Sequence, residues 1–131
     1  MLRAQTPLTV DAEALINRVI GCCITVHRAL GPGLLESIYS RAAGIELEQN
    51  QIPFEREKEI KVSYAGQLLC VQRLDFVVAG IAVLEIKAVD RLAPVHHAQL
   101  LGCLRLTDLR VGLLINFNVA VLKDGIKRIV L

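Results

Sequence analysis

At 131 residues the chain has the length of one domain, 1–131, with material for a single core and none for a second. Its hydrophobic fraction of 53% and mean hydropathy of +0.49 exceed what one small core hides, so an isologous homodimer is expected. The net charge of +2 excludes a polybasic or polyacidic protein, and three Phe, two Tyr and no Trp exclude extensive base stacking, while a local groove of Lys and Arg stays compatible with phosphate binding.

Cys22, Cys23, Cys70 and Cys103 show no CxxC spacing and read as reduced core residues. The most apolar N-terminal run, Val19 to Val26, is too short to span a bilayer, and Arg18 and His27 flank it closely. Met1-Leu-Arg-Ala leads into no signal-like segment. The expectation is a cytoplasmic protein with no membrane partner.

Thr9 or Asp11 caps a predicted helix running to about Ala29, with Leu15, Val19, Cys22, Cys23 and Val26 at helical spacing. Gly31-Pro32-Gly33 ends it. A second helix is expected from about Leu34 to Gln49, with Leu35, Ile38, Ala42, Ile45 and Leu47 inward and Glu36 and Tyr39 adjacent on its first turns. From Phe54 to Tyr64, Ile60, Val62 and Tyr64 alternate with Glu59, Lys61 and Ser63, the pattern of a half-exposed strand. Ala65-Gly66 turns it into a second strand, Gln67 to Val78, and a tight turn at Ala79-Gly80-Ile81 leads to a third, so three antiparallel strands form a meander. Pro94 opens a helix to about Leu106, with His96 and Gln99 on one face. Arg110 to Phe117 is a buried strand, and Val119 to Leu131 is expected to fold as a hairpin around Asp124-Gly125, its end made basic by Lys123, Lys127 and Arg128.

The stretch from Arg73 to Lys87 carries the chemistry. A three-residue loop centred on Gly80 sets Asp75 opposite Glu85 and Arg73 opposite Lys87. Alternation then puts Leu74, Phe76, Val78, Ala82, Leu84, Ile86 and Ala88 on one apolar face, and Arg73, Asp75, Glu85 and Lys87 on the other. Opposed carboxylates with Cβ atoms roughly 5 Å apart repel by roughly 3 kcal/mol at an effective dielectric of about 20. A divalent cation would relieve that repulsion, with Lys87 placed beside a water at the ion. Solvated pairs of Asp75 with Arg73, or of Glu85 with Lys87, are the simpler alternative. Against it, the flanking strands are apolar enough to be central, and charge on a buried strand needs a reason.

This order of elements, with Asp75 on the second strand and Glu85-Ile86-Lys87 on the third, resembles the PD-(D/E)XK nuclease superfamily. Within it, Gly33-Leu-Leu-Glu36-Ser-Ile-Tyr39 looks like the signature of the GxxExxY protein family, and Ala98-Gln-Leu-Leu and Val111-Gly-Leu-Leu-Ile-Asn-Phe are similar to its closing helix and strand. The resemblance covers about Ala14 to Leu131. It implies an α+β fold with a central mixed sheet flanked by helices. It also implies Mg²⁺ or Mn²⁺ at Asp75, Glu85 and the Ile86 carbonyl, with Glu36 completing the site, Lys87 orienting or helping to deprotonate the attacking water, and Gln99 contacting the site or the nucleic-acid backbone. Cys103 departs from the pattern, standing where related nucleases that use a helix Gln often carry Tyr. The implied activity is metal-dependent phosphodiester hydrolysis, on DNA rather than RNA. The alternative is a non-catalytic nucleic-acid or protein-interaction subunit on the same fold. His96 reads either as a ligand or proton carrier or as the solvated histidine of a helix start, and the roles of His97 and Tyr39 stay open.

Overall fold

The computed structural model describes residues 7–131. The Met1-Leu-Arg-Ala start lies outside the described residues.

Helix α1 (Val10–Leu30) begins where the Ala12 N–H donates to Thr9 Oγ1 at 3.1 Å, and ends at Gly31, whose φ of 70° leaves the helical path. It buries Leu15, Ile16, Val19, Cys22, Cys23 and Val26. Helix α2 (Glu36–Gln49) follows the Gly31-Pro-Gly33 loop. The sheet begins with β1 (Phe54–Tyr64), β2 (Gln67–Val78) and β3 (Ala82–Lys87). Then α3 (Pro94–Thr107) crosses over to β4 (Val111–Asn116), and β5 (Ile126–Val130) closes the chain.

The five strands lie in chain order in one mixed sheet, antiparallel except for β3 and β4. A parallel pair requires a crossover, which α3 supplies. The expected α+β architecture, a meander plus further strands flanked by three helices, is the one observed. The meander turns are the ones foreseen. Ala65 and Gly66 both have positive φ, as a two-residue hairpin turn demands, and the Ala79-Gly80-Ile81 loop pairs Val78 with Ala82.

Helices α1 and α2 cover one face of the sheet around Phe76, Val78, Leu84, Ile86 and Phe117. Helix α3 covers the other through Leu100, Cys103 and Leu104, which pack on Leu74, Val77, Val83 and Leu114. No helix among the described residues is long and apolar enough to cross a membrane.

Four expectations are corrected. Helix α2 starts at Glu36 and turns Tyr39, Ala43, Gly44 and Leu47 inward, leaving Leu35, Ile38 and Ile45 exposed. The helix lies against the sheet on this stripe: a Cβ at Gly44 would stand in ordinary van der Waals contact with the Phe76 ring at 3.7 Å. Leu74 belongs to the α3 layer, not to the Phe76 face. Strand alternation is interrupted at Asp75, where the β1 ladder skips the Glu57–Asp75 position and Glu57 adopts φ 55°. Cys70 is exposed, because β3 pairs only with the last residues of β2 and leaves the outer β1–β2 ribbon without a third strand. Finally, β5 pairs with β4 and not with a strand at Val119, and Asp124-Gly125 belongs to a 3-10 turn, Leu122–Gly125. Gly125 is there for closeness, since a Cβ would sit 2.2 Å from the Asn116 carbonyl oxygen.

Candidate active site

The site forms where the β2–β3 ladder ends. Its last pair is Phe76–Leu84, and one step beyond, side chains take over from the backbone. The Asp75 N–H donates to Glu85 Oε1 at 3.3 Å, and the Ile86 N–H donates to Asp75 Oδ2 at 2.8 Å. Each carboxylate is thus tied to the opposite strand by a backbone donor. The two acids stand facing each other, as the register requires.

Among the described residues neither acid forms an ion pair with a neighbouring cation. Among the described residues no ion pair joins Asp75 to Arg73 or Glu85 to Lys87, and Arg73 instead lies 4.0 Å from Glu57. The predicted Arg73–Lys87 pairing is likewise outside the ladder. Burial, then the adjacent Asp75 charge and side-chain hydrogen bonding to Asp75, together push the Glu85 carboxyl up to about 8, against the opposing pull of the Asp75 backbone N–H and the Lys87 ammonium. The Glu85 carboxyl therefore holds its proton near neutral pH where an isolated acid would not.

Glu85, Lys87 and Gln99 line one cleft of about 200 Å³ between the sheet and the start of α3, together with Gln72, Arg73 and His96. Gln99 and Cys103 project from α3 one turn apart, and Cys103 forms part of the wall. Burial raises the Cys103 thiol, and the Glu85 and Asp75 charges add to it, so it lacks the thiolate character of a nucleophile.

Glu36 arrives from the opposite direction, on the first turn of α2. Desolvation raises its carboxyl, with the Lys87 ammonium pulling down, Asp75 pushing up and His96 pulling down, so it sits within electrostatic reach of the cluster. Tyr39 explains the placement. Its hydroxyl donates to the Gly31 carbonyl at 2.5 Å and accepts the Leu34 N–H at 3.1 Å, while its ring stacks on Phe117 at 4.7 Å. The loop before α2, which needs Gly33 at φ 96°, is thereby pinned to the core, and Glu36 is carried with it. Tyr39 is an anchor and not a reacting group.

Gln72 is a cleft residue that the sequence left unmarked, since it becomes visible only once β2 has a register. His96, on the face it shares with Gln99, and Arg73, on the charged face of β2, join it there.

The two facing carboxyls form a hard oxygen donor set suited to Mg²⁺ or Mn²⁺, which would take the place of the Glu85 proton. Among the described residues no three His, Cys, Asp or Glu side chains gather into a ligand cluster.

A family model of the PD-(D/E)XK nuclease superfamily matches residues 13–129, and the chain belongs to that superfamily. No curated protein and no solved structure matches it.

Proposed function

We propose that this protein is a metal-dependent nuclease that hydrolyses phosphodiester bonds, acting on DNA in preference to RNA. The observation that carries the reading is Asp75 hydrogen-bonded across to Glu85 and Ile86, with no ion pair to either acid among the described residues and with Glu85 sharing a cleft with Lys87. Superfamily membership supports it.

In this reading Asp75 and Glu85 hold Mg²⁺ or Mn²⁺ with the Ile86 carbonyl, and Glu36 completes the site through solvent. The ion, when bound, supplies Lewis acidity toward the scissile phosphate. Lys87, two residues beyond Glu85 on the same strand, orients the attacking water in line with the leaving oxygen and helps take its proton. Gln99 contacts the sugar–phosphate backbone. We also infer membership of the GxxExxY group from Gly33, Glu36 and Tyr39, whose structural division of labour supplies a physical reason for that spacing. A homodimer is inferred from the exposed apolar residues Leu35, Ile38 and Ile45 on α2.

The test is nicking and cleavage of plasmid, single-stranded and branched DNA with Mg²⁺, Mn²⁺ or chelator. Metal-dependent cleavage abolished in Asp75→Ala is the expected result. Binding without cleavage under every metal would replace this reading by that of a non-catalytic subunit.

A further inference from the structure

Helix α3 starts in a way that leaves one polar group unspent. Pro94, at its first position, has no N–H, and Ala93 before it has no side-chain oxygen with which to cap. The cap is supplied from three residues on: the Ala93 N–H donates to His96 Nδ1 at 2.9 Å. A ring nitrogen that accepts an N–H carries no hydrogen, so the ring is the neutral tautomer with its hydrogen on Nε2. No other hydrogen bond to this ring is made by the described residues. The ring lines the cleft beside Glu85, Lys87 and Gln99.

We propose that His96 is a substrate-contacting residue that donates Nε2–H to a non-bridging oxygen of the phosphodiester and moves no proton in the reaction. This rests on the nuclease reading above. A donor whose direction is set by a helix start before substrate arrives is the kind of group that stabilises charge building on phosphate oxygens without reorganisation. The same geometry excludes proton transfer. Nε2 already bears a hydrogen and cannot act as base, its loss would create an imidazolate, and protonation of Nδ1 would break the cap.

The experiment compares His96→Gln with His96→Glu. Both provide an oxygen at the third helical position able to accept the Ala93 N–H, as in a capping box, and thermal unfolding checks that the helix start survives. Only Gln also retains an N–H. Supercoiled plasmid is cleaved with Mg²⁺ and Mn²⁺ over a range of pH and salt, and a short DNA duplex is bound in Ca²⁺. His96→Gln is expected within about threefold of the parent with an unchanged pH–rate profile, and His96→Glu about 10²-fold slower. That deficit should persist at salt concentrations that screen the added carboxylate. Cleavage by His96→Glu at the parent rate would leave His96 as a cap alone. Loss of one limb of the pH–rate profile in His96→Gln would make it a proton carrier. If the parent cleaves nothing, the nuclease reading falls and the duplex decides separately: weaker binding by His96→Glu alone supports the contact, whereas equal binding, or none by the parent, overturns it.

Discussion

The two faces of the sheet are built differently. Under α1 and α2 lies a layer of twenty buried residues, all apolar or cysteine, running from Leu15 to Leu122. Under α3 lies one of eight, and the N-terminal turn of α3 stands off the sheet to leave the cleft. Buried apolar area is the main stabilising term, so the first layer carries most of the stability and the second carries the charge. An acid pair tolerated at the margin of the thin layer would be prohibitive inside the thick one. The difference teaches that the carboxylates are borne by a fold anchored elsewhere.

The largest expected effect falls on the thin side. Lys87→Ala should lower metal-dependent cleavage by about 10²- to 10⁴-fold, the usual contribution of a positioned group that assists proton transfer. It should leave Mg²⁺-induced thermal stabilisation in place, because both carboxylates remain. Equal cleavage rates in Lys87→Ala and parent would remove Lys87 from the chemistry.

On the thick side, Phe76→Ala deletes a fully buried ring that touches Phe54 edge-on at 5.5 Å, and should cost about 3–5 kcal/mol in urea unfolding. Leu100→Ala, beside the cleft, should cost about 2 kcal/mol, since a site next to open space relaxes more readily. A reversal of that order would contradict the assignment of stability to the α1–α2 layer.

The acid pair makes its own contribution with a defined sign. The Glu85 carboxyl titrates at about 8 in the folded chain, above its ordinary 4.5, so the native state binds the proton more tightly than the unfolded one. Its contribution is most favourable below the unfolded value and is lost as pH rises through the folded one. In chelator, the parent should therefore lose about 2–4 kcal/mol relative to Glu85→Gln between pH 5 and 9. Added Mg²⁺ should close most of the gap at the alkaline end and, at pH 7, release protons, measurable by calorimetry in buffers of different ionisation enthalpy. A gap that does not change with pH would mean that the fold does not hold Glu85 protonated.

Much of this was legible in the chain because it depends on local rules. Gly80 and the alternation around it define the β2–β3 register, and the register alone brings Asp75 to Glu85. Pro94 and the Thr9 cap mark helix starts for reasons contained in three or four residues. What was not legible depends on partners distant in sequence. Leu74 changes layer because Glu57 on another strand breaks the ladder, and Gly125 serves the Asn116 carbonyl where its neighbour Asp124 suggested a turn. In α2, hydropathy favoured the Leu35–Ile38–Ile45 stripe, but the distance to Phe76 and Phe117 favoured the Tyr39–Ala43–Leu47 stripe, and packing outweighed composition.

That inverted helix supplies the smallest and most discriminating prediction. Leu35 and Ile38 are 71% and 42% exposed, so replacing either by Gln removes little buried area within one chain, and at Ile38, inside the helix, it introduces a better helix former. Each should change unfolding free energy at dilute concentration by no more than about 0.5 kcal/mol. By contrast, Ala43→Gln, at a position with no exposure, forces a long polar side chain against the sheet and should prevent normal folding. If the outer stripe joins two copies, the paired Leu35→Gln and Ile38→Gln change should lower the light-scattering mass to the 14.4 kDa of one chain with the circular dichroism unaltered. A parent that already scatters as one chain at tens of micromolar would rule out the homodimer. A core-sized loss of stability that does not vary with protein concentration would instead mean that the stripe is buried within the chain, overturning the orientation of α2 described above.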